Sequence, residues 1–419
     1  MLTRIEWSLS GTGMVADGVL VLVLAQLGLH HPVHATSRGW DGEPATNTLL
    51  ARPGGRAGRS RLASRRHGGL TMRHWSAMAP SSDLLAALPP EARALLRPCP
   101  QPDWMPPMLA TLTQRRFSSP GWVFERKLDG ERCLGFVNRR SVQLLSRTRH
   151  RLDGTYPEIV DALAAAAEHE VVVDGEVVAF EDGRTSFARL QGRIGITDPE
   201  LARRSGIAVA YHMFDLLHVD GHDVTGLPLR LRRLLLHRAL RVRSPLHLTA
   251  HHETDGVRLL DEACRQGWEG LIAKRADSPY VGRRSTDWLK LKCSNRQEMV
   301  VGGFTDPRGS RVGFGALLLG YHDDGGRLVY AGKVGTGYDT ATLRDLRARL
   351  DALEQPRSPF AGGEGREPGV HWVRPELVAE VEFAEWTADG RLRHPRFVGL
   401  RDDKPAREVR RERPVDLPR

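Results

Sequence analysis

The sequence predicts an α+β fold in two parts, a mixed helix-and-strand domain followed by a small Greek-key β-barrel. Three observations predict it. A chain of 419 residues exceeds one ordinary core and implies two to three domains. From about residue 83 to 294, apolar runs of helical period alternate with runs of strand character. From about 295 to 412 the texture changes to short strands broken by glycine turns, with a single helix among them.

Taken in order, residues 1–82 differ from the rest. They hold nine Arg against four acids (Glu6, Asp17, Asp41, Glu43), half of the formal net charge of +10. The stretch GWDGEPATNTLLARPGGRAGRSRLASRRHGG lacks periodicity and reads as disordered. A disordered or misannotated extension is the expectation, with Met72 or Met78 as an alternative start. The apolar run 15–29 carries Asp17 and is short for a membrane span, so no membrane contact is expected. In the first domain, EIVDALAAAAEH (158–169) reads as a helix and VVVDGEVVAF (171–180) as a strand. AVAYHMFDLLHV (208–219) is a buried strand, and LRLRRLLLHRAL (229–240) and GVRLLDEACRQG (256–267) are amphipathic helices. GLIAKR and DWLKLK resume strand character. In the second, EMVVGGFT, FGALLLGYHDDGGRLVYAGKVG and VAEVEFAEWT supply strands around the helix TATLRDLRARLDALE. That pattern suits a barrel of the oligonucleotide-binding type. Residues 413–419 are expected to be a tail, and the arginine-rich 407–413 a solvated segment.

Charge and cysteine narrow the chemistry. The basic balance favours a polyanionic partner or an anionic substrate. The four cysteines (Cys99, Cys133, Cys264, Cys293) are far apart and form no C-x-x-C pair. That spacing argues against a zinc site or a disulfide framework and suits a reducing cytosol. Neither a G-x-x-x-x-G-K-S/T loop, a G-x-S-x-G elbow nor an H-E-x-x-H helix occurs. His251-His252 and His30-His31 read as surface pairs.

Lysine usage is the sharper signal. Of 61 basic residues only six are lysines: Lys127, Lys274, Lys290, Lys292, Lys333 and Lys404. Arg and Lys are nearly exchangeable on a solvated surface but not where an amine must lose its proton. Lys290 and Lys292 alternate on one strand and so share a face, where two ammonium groups repel unless something anionic lies between them. A phosphate chain supplies that charge.

In this order the strings resemble the covalent nucleotidyltransferase superfamily of ATP-dependent DNA ligases, RNA ligases and mRNA-capping enzymes. K-x-D-G matches Lys127-Leu128-Asp129-Gly130. Later signatures match Ser146-Arg147, Asp174-Gly175-Glu176, Phe214-Asp215, Glu269 through Lys274, Lys290-Leu291-Lys292, and Arg401-Asp402-Asp403-Lys404-Pro405. PRFVGLRDDKPAREV and GYHDDGGRLVYAGKVGTGY look most like the ligase module of bacterial end-joining ligases, of ligase D or ligase C type. The resemblance implies an adenylation (nucleotidyltransferase, ATP-grasp-like) domain followed by an OB-fold domain.

It also implies roles. Lys127 attacks the α-phosphate of ATP and carries AMP, with Asp129 beside it as a catalytic group or a turn former. Lys290 and Lys292 contact the α-phosphate, while Glu176 and Glu269 hold Mg²⁺ or Mn²⁺. Phe214 stacks on adenine, bordered by the backbone at Glu125. Arg132, Arg147 and Glu176 lie near ribose and phosphate, and Lys274 completes the ATP-binding set. Arg401, Asp402 and Lys404 orient the leaving pyrophosphate. The implied substrate is nicked or broken duplex DNA, handled by a cytoplasmic, nucleoid-associated monomer with a Ku-type end-binding protein as partner. RNA ligases, capping guanylyltransferases and a non-catalytic nucleic-acid-binding homologue are the rival readings.

Overall fold

The computed structural model describes residues 84–415 apart from 139, 140, 364 and 366. The expectations for residues 1–82 and for the end of the tail lie outside the described residues.

In chain order the first domain contains β1 (Leu109–Leu112), β2 (Trp122–Arg126), β3 (Glu131–Val137), β4 (Val142–Ser146), α1 (Pro157–Ala166), β5 (Val171–Glu181) and α2 (Phe187–Gln191). It continues with β6 (Val209–Val219), α3 (Leu229–Ala239), β7 (Leu246–Leu248), β8 (His251–His252), α4 (Gly256–Arg265), β9 (Gly270–Arg275) and β10 (Arg284–Lys292).

Two sheets result. One runs β4-β3-β5-β6, all antiparallel, with β7 added parallel to β6. The other runs β8-β2-β9-β10-β1, antiparallel except for the last pair.

The two-residue period of β3 explains the layering. Cys133 and Val137 face α1 and α3, joining Ile159, Leu163, Leu235 and Leu236 in one core. Leu134 and Phe136 face the opposite way, into a second core with Val172, Phe214, Leu217, Tyr280 and Trp288 between the two sheets. A strand covered on both sides cannot alternate apolar with polar residues, which is why β5 reads Val-Val-Val. Each such side chain contributes about 1.5–3 kcal/mol when taken from water.

Two motif glycines are fixed by backbone proximity. A Cβ on Gly130 would stand 2.1 Å from the carbonyl oxygen of Val177, so only glycine lets the turn after Lys127 lie against β5. Gly270 has φ +143° and no room beside the Leu291 carbonyl, which brings β9 tightly onto β10 directly after Glu269.

The barrel follows after only Cys293 and Ser294. Its central strand β11 (Asn295–Thr305) pairs with three others: β12 (Leu317–His322), β14 (Val370–Val373) and β15 (Val378–Phe383). Strand β13 (Leu328–Val334) pairs with β12, and β16 (Arg396–Leu400) with β15. Helix α5 (Thr340–Asp351), capped by the Asp339 carboxylate on the Thr342 N–H, drives Leu343, Leu346 and Leu350 into the barrel core.

Two expectations are corrected. Cys264 and Cys293 form a disulfide, with Cα atoms 5.2 Å apart. Their separation of 29 residues is a helix–strand–strand excursion that returns to its start, which sequence spacing cannot reveal. The 407–413 segment is not solvated throughout, since Val409 is fully buried and Glu412 reaches the first domain. Among the described residues, no helix is long and apolar enough to cross a membrane.

Candidate active site

A cavity of about 210 Å³ opens where the second sheet, the edge of the first and the barrel meet. Its lining includes Glu125, Lys127, Arg132, Arg147, Glu176, Phe214, Lys274, Lys290, Arg401 and Lys404, brought together from across 280 residues of sequence. Sheet register does much of this. Glu125, Ile272 and Lys290 lie abreast on β2, β9 and β10, and Lys274 lies beside Trp288.

Lys127 follows the last residue of β2, and its N–H donates to the Gly270 carbonyl (2.9 Å). Its Nζ donates to Glu269 Oε2 at 2.5 Å. Burial alone would depress this amine, but Glu269, then Asp129 and Glu176, outweigh it and hold the amine above the ordinary lysine range. The balance at Lys127 favours the protonated form, because a carboxylate is its hydrogen-bond partner. Burial would raise Glu269, yet Lys127 and Lys292 keep it below the usual carboxylate value. Asp129 turns toward Arg296 of the barrel at 3.8 Å, and burial pushes it up to about 7. Burial also raises Glu176 to about 7, against Arg132, Lys127 and Arg401.

The other end of the cavity is aromatic and cationic. Lys274, 1% exposed, sits 4.1 Å from the Phe214 ring centroid and 4.2 Å from that of Trp288. Its Nζ is 2.6 Å from Glu125 Oε2, and burial lowers its pKa despite that partner. The remaining Glu125 oxygen pairs with Arg233, which also donates to the Thr249 carbonyl (2.6 Å) and meets His251 Nδ1 (3.0 Å). His251 is thus tied into the site rather than a free surface residue, and burial with Arg233 pushes it down to about 3. Arg132 stacks over Phe214 (4.7 Å) and is held by a bidentate pair to Asp174 at 2.6 Å per bond. Asp174 also accepts from Tyr280 OH (2.6 Å), so the guanidinium is fixed.

Lys290 and Lys292 do share a face, and the anion between them is the Glu412 carboxylate, which pairs with Lys290 and lies 3.1 Å from Lys292 Nζ. Burial, helped by Lys292 and opposed by Glu412, pushes Lys290 down to about 8. Burial would raise Glu412, but the two lysines hold it at about 2.

The barrel delivers the remaining cations. Arg401 forms a bidentate pair with Asp403 (2.8 and 2.9 Å) and lies 4.3 Å over the Phe187 ring of α2. Lys404 pairs with Glu298 at 2.8 Å. Arg147 meets Glu408 at 3.5 Å. Asp402 is a correction: it lies outside the cavity, paired with Arg349 of α5 at 2.6 Å, whereas Asp403 lines the cavity. Adjacent residues of the turn after β16 point opposite ways, and sequence does not tell which turns inward. Lys333, singled out by scarcity alone, is exposed and paired with Glu367 (2.7 Å).

Sequence reasoning missed Trp288, Arg233, Glu298, Asp403 and Glu412 as members of this cluster. Trp288 was legible, being two residues before Lys290 on one strand and so on the same face. Glu298 and Glu412 carried no such signal.

Among the described residues no three His, Cys, Asp or Glu side chains converge as a metal cage. Glu269, bonded to Lys127, and Glu176, close enough to act on its charge, fit a hard cation that takes one or two carboxylates and completes its shell with phosphate and water. The cationic and aromatic lining fits a nucleotide: the rings of Phe214 and Trp288 with Arg132 and Lys274, and Lys290 already paired with an oxyanion, the Glu412 carboxylate that also meets Lys292.

Two stacked sheets with a lysine lining the cavity beside them, followed by a Greek-key barrel, define a nucleotidyltransferase adenylation domain with an OB-fold domain. The model of the ATP dependent DNA ligase domain matches residues 107–292, and that of the ATP dependent DNA ligase C terminal region matches residues 310–404. A solved structure of mycobacterial DNA ligase D complexed with ATP and MES is 36% identical, with TM-score 0.54, over 74% of this chain and 98% of that one. The chain belongs to the ATP-dependent DNA ligase family. The multifunctional non-homologous end joining protein LigD of Pseudomonas aeruginosa is 42% identical over 76% of this chain and 38% of its own length. The multifunctional non-homologous end joining DNA repair protein LigD of Mycobacterium tuberculosis is 39% identical over 74% and 40%, respectively. The chain thus spans about two-fifths of the length of these relatives.

Proposed function

We propose that this chain seals 5′-phosphate/3′-hydroxyl nicks or breaks in duplex DNA through a lysyl-AMP intermediate, in repair by end joining. The observation that carries the reading is Lys127 itself. It is a lysine in an arginine-writing chain, lining a cavity that also holds the rings of Phe214 and Trp288 and the cations Arg132, Lys274 and Lys290.

Lys127 Nζ attacks the α-phosphorus of ATP, an N–P bond forms, the P–O bond to pyrophosphate breaks, and the amine proton is released. A 5′-phosphate oxygen of DNA then displaces the lysine from AMP, and finally the 3′-hydroxyl displaces AMP as the backbone bond forms. All three are phosphoryl-group displacements, where positioning and charge neutralisation do most of the catalysis. Phe214 and Trp288 border the base, with Arg132 fixed over Phe214 by Asp174. Lys290 and Lys292 neutralise the α-phosphate, and Arg401 and Lys404 meet the leaving pyrophosphate. Glu269 holds the proton on Lys127 until its charge is otherwise engaged. Glu176 and Glu269 would hold a divalent cation, Mg²⁺ or Mn²⁺, which supplies charge neutralisation to carboxylates and phosphates. A Ku-type end-binding partner and a cytoplasmic, nucleoid-associated monomer complete the proposal.

Intact mass after incubation with ATP and Mg²⁺, followed by a nicked-duplex joining assay, tests it. The expected result is one adenylate on Lys127 and sealed product; purified protein that never takes up nucleotide overturns the reading.

A further inference from the structure

The segment after the last barrel strand returns to the first domain and is fixed along its length. Val409 is fully buried, and its carbonyl accepts from the His322 N–H (2.9 Å). Gln297, itself buried, grips the next stretch from both ends of its amide. Nε2 donates to the Arg410 carbonyl (3.0 Å), and Oε1 accepts from the Glu412 N–H (3.1 Å). Arg411 lies 4.2 Å over the Trp386 ring. Beyond Glu412, the Val415 N–H donates to the Leu112 carbonyl (2.9 Å), and Thr113 Oγ1 donates to the Val415 carbonyl (3.3 Å). The arm therefore straps the barrel to the edge of the second sheet, and the side chain it presents inward is a carboxylate between Lys290 and Lys292.

We propose that Glu412 is a resident counter-ion of the phosphate-binding lysine pair, and that nucleotide enters by expelling it. This rests on the nucleotide reading above, in which the same two ammonium groups take the α-phosphate. A carboxylate and a phosphate present the same pair of oxygens to two ammonium groups, and one site cannot hold both. Without an anion the lysines repel each other in a half-buried setting. With Glu412 in place they stay satisfied, and only a ligand that meets the rest of the cavity as well displaces the arm. The apparent affinity for ATP is then lowered by the fraction of molecules with the arm seated.

Two measurements test this. Glu412→Gln keeps the shape of the side chain and removes its charge. Its KM for ATP in self-adenylation is expected to fall about five- to tenfold. In the Lys127→Ala protein, which binds but cannot react, saturating ATP is expected to accelerate hydrogen exchange at the Glu412 and Val415 amides. An unchanged or raised KM in Glu412→Gln, or unchanged exchange at both amides, overturns the counter-ion role while leaving the ligase reading intact. A wild-type protein that takes no adenylate overturns both.

Discussion

The Lys127 ammonium and the Glu269 carboxylate stand 2.5 Å apart, so the proposed nucleophile rests in its protonated form. Removing the negative charge of Glu269 lowers the amine's pKa. Glu269→Gln is therefore expected to move the acid limb of the self-adenylation pH profile to lower pH. The maximal rate should fall about 100-fold, since the carboxylate also serves the cation. A profile with an unmoved limb refutes the pairing as the control on Lys127.

Lys127→Arg retains charge and folding but supplies no nitrogen that can shed its proton. Complete loss of adenylate uptake is expected, with the melting temperature within about 2 °C of wild type. Robust labelling of this variant, located by peptide mapping, places the chemistry elsewhere.

Asp402 and Asp403 provide a matched pair. Asp403→Asn leaves Arg401 without its bidentate partner inside the cavity and should slow the first step by at least about tenfold. Asp402→Asn touches only an exposed pair with Arg349 and should stay within about twofold. Equal effects from the two substitutions contradict the assignment of Asp403 to the site.

Asp215, next to Phe214, is wholly buried and bound through both oxygens to the equally buried Arg232 of α3 (2.7 and 2.9 Å). Its part in the Phe-Asp signature is thus to lock α3 beneath the strand that carries Phe214. Asp215→Ala strands a guanidinium and is expected to cost about 3–5 kcal/mol in urea unfolding. A loss under about 1 kcal/mol is the contrary result.

Glu176 gives a pH test on metal-free protein. Its folded-state pKa of about 7 lies above the ordinary 4.5, so the native state binds that proton more tightly than the unfolded chain does. The contribution is complete below the unfolded value and disappears as pH rises through about 7. Glu176→Gln mimics the protonated form, so it should gain on wild type with rising pH, by up to about 1.4 kcal/mol per unit across that window. A gap between the two proteins that stays constant from pH 5 to 8 in EDTA contradicts it.

Legibility in the sequence followed physical locality. Strands covered on both faces and amphipathic helices announced themselves through apolar runs, so β5, β6, α3 and α5 were readable. Lys127, Lys274, Lys290 and Lys292 were readable because arginine had replaced lysine almost everywhere else. What escaped depends on long-range return of the chain. Cys264 meets Cys293, Glu412 meets Lys290 from 122 residues away, and Asp403 rather than Asp402 turns inward. No local period encodes any of the three. The carboxylates around Lys127 were visible singly, but their summed effect on its proton needed their distances.

Only Cys293 and Ser294 separate the last strand of one domain from the first strand of the other. Arg401, Asp403 and Lys404 come to the cavity solely from beyond that joint. A pivot there, with the arm released, would withdraw these groups together with Glu298 and Glu412, which no single side-chain rotation could do. Such a geometry would convert a gradual movement into an on–off signal, assembled or dismantled, with few useful positions in between.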